Sequence, residues 1–190
     1  METFKEKMIE DMVKILTDKE IDKISKKHIL DMYCWILTER KASTNGENSK
    51  NAKYRGCTYW TKTAFENCYE CNNGKYEAKK GATLKGLKHE HIVPRDVFKK
   101  YIKECIYNNQ KPDKEKINKY FVGCVVTANE AEQLDKKDIK NKMPGNIAFK
   151  EISPENKWLR YKYNNIKTIY RIDWEFNKKW NVLKVEEINI

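Results

Sequence analysis

No apolar run in this chain approaches the roughly 18 residues that a membrane-spanning helix needs, which excludes that class. The first residues, Met1-Glu2-Thr3-Phe4-Lys5-Glu6, carry acids and lack the apolar core of a secretory signal. The six cysteines are therefore expected as reduced thiols in a cytoplasm, that of a bacterial or phage-infected cell, and not as a disulfide framework. No internal repeat is present, which excludes a solenoid. Acidic residues are in the minority: 28 Asp+Glu stand against 39 Lys+Arg, a net charge of +11 on 190 residues. Arginine is scarce beside lysine, and histidine is scarcer still, with three in the whole chain.

The basic excess favours polyanionic partners, nucleic acid first, with an acidic protein as the competitor. An AT-rich genome produces the same bias toward Lys, Ile and Asn with no function attached, so charge alone does not choose. The length suits one domain, or one domain with a helical appendage.

Hydrophobic spacing organises the chain. Phe4, Met8, Met12 and Leu16 recur at four-residue steps and predict a helix over 3–16. Thr17-Asp18-Lys19-Glu20 has the form of a capping box, so a second helix is expected from Asp18. Ser25 is a candidate cap for a third, running to about Glu39 with Ile29, Met32, Tyr33 and Ile36 buried. His28, near its start, reads as packed or solvated. Residues 41–56 are polar, small and aperiodic, and read as a loop. A short helix is expected near Thr61–Asn67, a turn at Asn72-Asn73-Gly74, a strand through His89–Val93 and a helix from Pro94 to about Tyr107. Another short helix should open at Pro112-Asp113-Lys114. Phe121–Val126 reads as a buried strand, followed by a capping box at Thr127–Glu130 and a helix through Leu134. Ser153-Pro154-Glu155 reads as a helix start, and the tail, 166–172 and 181–188, as strands.

The stretch Leu87-Lys88-His89-Glu90-His91-Ile92-Val93-Pro94-Arg95 is the most informative in the chain. Histidine can serve as a base near neutral pH, and a carboxylate suits a hard divalent cation. The two together are what metal-assisted hydrolysis of a phosphodiester requires. Surface hydrogen bonding is the plainer reading of the same residues. For Glu90 and His91 to serve one site the strand must end or bulge there, because side chains alternate across a strand.

Four elements in order give the chain a resemblance to the HNH-like nucleases, in particular a branch with a Glu-His-Ile/Val-Val-Pro motif. They are Tyr59-Trp60-Thr61-Lys62-Thr63-Ala64, the motif at 86–95, Cys124-Val125-Val126-Thr127, and Trp158-Leu159-Arg160-Tyr161 with Asn165-Ile166. They span about residues 57–170. The resemblance implies a ββα metal-binding core in which His91 is the general base and Glu90 a ligand to Mg²⁺ or Mn²⁺. It also implies a ligand on the helix after the second strand, where the aligned position holds Ala131; Asn129 or Glu130 would have to supply it. That departure keeps a catalytically inactive relative in play.

Cys68-Tyr69-Glu70-Cys71, with Cys57 upstream, is a candidate structural zinc set, with His89 as the remaining donor. Ordinary packing of the thiols is the competing reading. Cys34, Cys105 and Cys124 lie on apolar faces and read as core. Lys88, Arg95, Lys99, Lys100 and Arg160 are the candidate phosphate contacts. The aromatic residues crowding 161–180 read as core before they read as base-stacking platforms.

The expectation from sequence is an α+β fold, mainly helical. It has an amino-terminal helical region and linker over 1–55 and an HNH-like ββα core with a carboxyl-terminal extension over 56–190. The expected function is a metal-dependent endonuclease, on DNA before RNA. The alternatives are an inactive binding protein of the same fold, such as a phage or mobile-element inhibitor of a nucleic-acid enzyme, and a zinc-stabilised nucleic-acid-binding module.

Overall fold

A computed structural model describes residues 4–38, 54, 57–136, 138–177 and 179–190. Helix α1 (Phe4–Thr17) and helix α2 (Lys23–Thr38) come first. The first matches its apolar stripe: Ile9, Met12 and Leu16 are buried. The second helix does not start at Asp18. The turn after α1 absorbs Thr17, whose hydroxyl donates back to the Val13 and Lys14 carbonyls. Asp22 caps α2 instead, accepting from the backbone N–H groups of Ile24 and Ser25. The buried face of α2 is Leu30, Tyr33, Cys34, Leu37 and Thr38, while Met32 and Ile36 are exposed. The expected loop over 41–56 lies outside the described residues apart from Tyr54, a buried side chain whose hydroxyl donates to the Leu87 carbonyl at 2.7 Å.

The centre of the molecule is a five-stranded mixed sheet in the order β4-β5-β1-β6-β7. Its strands are β1 (Tyr59–Thr61), β4 (Leu87–His91), β5 (Gly123–Thr127), β6 (Thr168–Asn177) and β7 (Lys179–Asn189). A separate hairpin joins β2 (Tyr69–Asn72) to β3 (Lys75–Ala78) through Asn73 and Gly74, both with positive φ as a two-residue hairpin turn demands. The further α-helices among the described residues are α3 (Lys62–Glu66), α4 (Arg95–Tyr107), α5 (Lys114–Tyr120), α6 (Ala128–Leu134) and α7 (Leu159–Tyr163).

This architecture overturns the expected mainly helical α+β fold with an HNH-like ββα core. Strands β4 and β5 do pair antiparallel and α6 does follow β5, but β5 also pairs in parallel with β1, and β1 in turn pairs antiparallel with β6. The chain is α/β around one mixed sheet, with no separate ββα unit among the described residues. The physical reason is long-range pairing. A parallel pair needs a long crossover, and the segment between β1 and β5 holds a hairpin, a strand and three helices, so no local pattern announces it. The tail strands also run longer than their alternation suggested, through 168–177 and 179–189.

Strand position explains composition. β5 lies inside the sheet with both faces covered, and Gly123 through Val126 are all buried, hence its unbroken apolar run. β4 is an edge strand and alternates. At the other edge, β7 carries a bulge at Leu183, since the register steps from Asp173–Lys184 to Trp174–Val182. A bulge of this kind discourages strand addition.

Three apolar clusters fill the interior. One joins α1 and α2 to α4 and α5 through Met12, Cys34, Phe98, Ile102 and Phe121. A second lies on one face of the sheet around Trp60, Phe65 and Trp174, whose two indole N–H groups at 60 and 174 both donate to the Cys57 carbonyl. The third covers the opposite face, with Cys124, Val126, Leu134, Tyr161 and Ile169.

Candidate functional site

β4 is regular at its motif. His89 pairs with Val125, Glu90 with Cys124 and His91 with Gly123, so the histidines project to one side and Glu90 to the other. The bulge that would bring Glu90 and His91 together is absent from this register.

Both histidines meet the carboxyl-terminal turn of α2. His91 Nε2 lies 3.3 Å from the Cys34 carbonyl and 3.2 Å from the Thr38 hydroxyl oxygen. His89 Nε2 lies 3.3 Å from the Thr38 carbonyl. A carbonyl only accepts, so each ring carries its hydrogen on Nε2 and donates. The last carbonyls of a helix lack intrahelical partners, and His89 supplies one to the Thr38 carbonyl; the Cys34 carbonyl, one turn back, already accepts from the Thr38 hydroxyl at 2.9 Å and gains His91 as a further donor. Trp35 closes over the pair, its ring 5.2 Å from that of His91, and Phe121 packs beneath His91. Burial pushes the His91 pKa down to about 3, with the neighbouring His89 adding to it and the Cys34 carbonyl opposing. A helix carboxyl terminus favours imidazolium, but here desolvation outweighs it, and the ring is neutral and committed. Gly123 makes room: a Cβ there would stand 2.1 Å from His89 Nε2.

Glu90, on the opposite face, pairs with Arg160 at 3.5 Å. Arg160 is 2% exposed and donates from Nη1 to the His91 carbonyl at 3.0 Å and from Nη2 to the Leu134 carbonyl at 2.9 Å. Burial raises the Glu90 pKa against the pull of that guanidinium. Arg160 thus clamps the end of β4 to the end of α6 and is shielded from any phosphate outside.

Glu130 completes the expected capping box. It accepts from the Thr127 backbone N–H at 2.8 Å and hydroxyl at 2.9 Å, and the Thr61 hydroxyl donates to the same oxygen at 2.7 Å. Asn129 is exposed, and Ala131 is buried against the third cluster. Among the described residues no three His, Cys, Asp or Glu side chains gather in a way that could hold a metal ion. The candidate zinc set is likewise dispersed in setting. Cys57 and Cys68 are buried in the second cluster, Cys71 is exposed on the β2–β3 hairpin, and His89 lies against Trp35 and Gly123.

The candidate phosphate contacts separate in the same way. Lys88 and Lys100 are exposed. Lys99 is held by Asp31 and Asp96. Arg95 lies over the Trp35 ring at 5.0 Å.

A feature that sequence reasoning missed lies where α3, α6 and the start of β6 meet: an open cleft of about 590 Å³. Lys62, Lys136 and Lys167 line it, together with Tyr163, Asn165 and Gln133. These residues come from three separate segments with no shared motif, so only the folded chain assembles them. No protein-family model, curated protein or solved structure matches the chain.

Proposed function

We propose that this chain is a non-catalytic nucleic-acid-binding protein, with DNA the favoured partner. One observation carries the reading: β4 sends its histidines and its glutamate to opposite faces, and each head is already engaged in holding the fold. His89 and His91 cap α2, Glu90 neutralises Arg160, and Glu130 caps α6. A general base must reach the proton it removes, and the His91 Nε2 lies under Trp35 and faces a carbonyl. The residues implied as ligands do not fit a single divalent ion, so no hydrolytic step is derived from them. The basic excess of 39 over 28 charged side chains remains, and it suits the phosphate backbone, which dominates nucleic-acid affinity.

The test pairs binding with cleavage. Full-length protein is titrated into labelled single-stranded and duplex DNA and RNA over a range of salt, and the same substrates are incubated with Mg²⁺, Mn²⁺ or EDTA. Binding that falls linearly in log–log form with salt, without metal-dependent cleavage, is the expected result. Cleavage that EDTA abolishes and His91→Gln removes would return the hydrolase reading. Absence of binding to every nucleic acid at low salt would favour an acidic protein partner.

A further inference from the structure

We propose that the cleft between α3, α6 and the α7–β6 junction binds single-stranded nucleic acid, with Tyr163 stacking on a base and Lys136 and Lys167 holding flanking phosphates. This rests on the nucleic-acid reading above and gives it a location.

The cleft is built on a rigid corner. Helix α7 ends in a Schellman arrangement: the Asn165 N–H donates to the Lys162 carbonyl at 2.9 Å and the Ile166 N–H to the Tyr161 carbonyl at 3.1 Å. Asn165 takes the required left-handed conformation, φ 58°, which asparagine tolerates better than most residues. Tyr161 and Ile166 are buried together in the third cluster, so the corner is pinned from inside. Tyr163, between them in sequence, is left 63% exposed on the rim, and Lys167 comes directly after Ile166. A large aromatic ring is held at the solvent boundary by backbone hydrogen bonds on both sides of it.

The charges have a matching layout. Neither Lys136 nor Lys167 makes an ion pair among the described residues, whereas Lys62 leans toward Glu66 and Glu187 at 3.9 and 3.6 Å. The two carboxylates on the wall differ: Glu130 is partly buried and engaged, while Glu66 is exposed and shared between a tyrosine hydroxyl and Lys62. Glu130 is occupied by Thr61 and Thr127, and Glu66 accepts from the Tyr170 hydroxyl at 2.9 Å. The competing lysine surface on α4 differs, because Lys99 is bound to Asp31 and Asp96 and Lys100 pairs with Glu104. A stacking ring beside cations, with Gln133 and Asn165 amides nearby, suits a strand whose bases are unstacked and reachable. A duplex exposes base edges in its grooves but keeps the base faces stacked inside, so it gives an aromatic ring nothing to stack on.

The test uses the full chain and a fluorescent oligothymidylate of about twelve residues, followed by anisotropy between about 20 and 200 mM salt. Tyr163→Leu is expected to weaken binding about tenfold, and Tyr163→Phe to retain it, since stacking needs the ring and not the hydroxyl. The double change Lys136→Gln, Lys167→Gln should make the salt slope shallower by about 1.4, at about 0.7 per phosphate on a single strand. The pair Lys100→Gln, Lys103→Gln on α4 serves as the control and should leave both quantities unchanged. If the parent binds and the Tyr163 and Lys136/Lys167 variants bind equally well, the cleft assignment is overturned while nucleic-acid binding stands. The same holds if the α4 pair weakens binding as much as the cleft pair, or if only duplex binds. If the parent binds no nucleic acid at low salt, both proposals fall.

Discussion

Two polar regions of this protein can be set side by side. Under the end of α2, His89 and His91 lie buried against carbonyls beneath Trp35. At the α7–β6 corner, Tyr163 and the lysines at 136 and 167 stand at the surface around an open cleft. The first region holds the residue types associated with chemistry, and the second holds residue types that look ordinary in sequence. Their settings reverse the expectation. A buried imidazole that has already given its hydrogen to a carbonyl stabilises a helix end, and a common tyrosine kept exposed by its backbone has a face to offer. Residue type proposes a role, and burial with existing hydrogen bonds decides whether the group is available.

The comparison breaks most visibly at Arg160, which belongs to the buried side. Arg160→Met removes donors from the His91 and Leu134 carbonyls and leaves Glu90 without its counter-charge. A loss of about 3–5 kcal/mol is expected from urea denaturation. The combined Arg160→Met, Glu90→Gln variant should recover part of that, since no half-buried charge is then left alone.

Acid should open the histidine side next. The folded pKa of His91 is pushed down to about 3, below the usual 6.5, so the unfolded chain takes the proton first. Its stabilising share is present in full above pH 6.5 and is lost as pH falls from there toward 3. Each unit in that interval corresponds to about 1.4 kcal/mol, so a fall to pH 4.5 should cost about 3 kcal/mol. Glu90, with its pKa raised, acts in the opposite sense at low pH. The informative quantity is therefore the difference between the parent and His91→Gln, which keeps a donor and does not titrate. Parallel stability curves for the two would sink the assignment.

Gly123→Ala tests the same region by steric means. The added Cβ would lie 2.1 Å from His89 Nε2, so the ring must leave the Thr38 carbonyl or β5 must shift. Overpacking of this kind costs about 1–3 kcal/mol, read as a lowered denaturation midpoint. The smallest stability effect belongs to the open side: Tyr163→Leu should change folding by no more than about 0.5 kcal/mol, because the ring is largely in solvent. A larger loss would mean that Tyr163 is part of the packing and would erase the contrast between the regions.

Much of the local structure was legible in the residues themselves. The capping box at Thr127–Glu130, the opening of α5 at Asp113-Lys114, the turn at Asn72-Asn73-Gly74 and the buried stripe of α1 all appear as expected, although the two strands that the turn joins are not among the expected elements. Each depends on contacts within about four residues, where side-chain and backbone chemistry act without help from the rest of the chain. The false start at Asp18 shows the limit. Thr17 through Glu20 carry the pattern of a capping box, yet α2 waits for Asp22, and the helix face that packs is Leu30, Cys34 and Leu37.

What only the tertiary structure decided is which groups meet across long separations in sequence. The parallel pairing of β1 with β5 turned an expected ββα unit into the middle of a mixed sheet. The histidines of β4 met a helix end more than fifty residues earlier, as the separations of 51 and 57 record. The arginine expected at the surface was drawn inside by Glu90, 70 positions away by number, and by two carbonyls. Sequence determined the inventory of donors, acceptors and charges, and the turns and caps that short-range hydrogen bonds enforce. Long-range packing decided which of them are satisfied internally and which still face solvent, because a buried polar group must find a partner wherever the fold provides one.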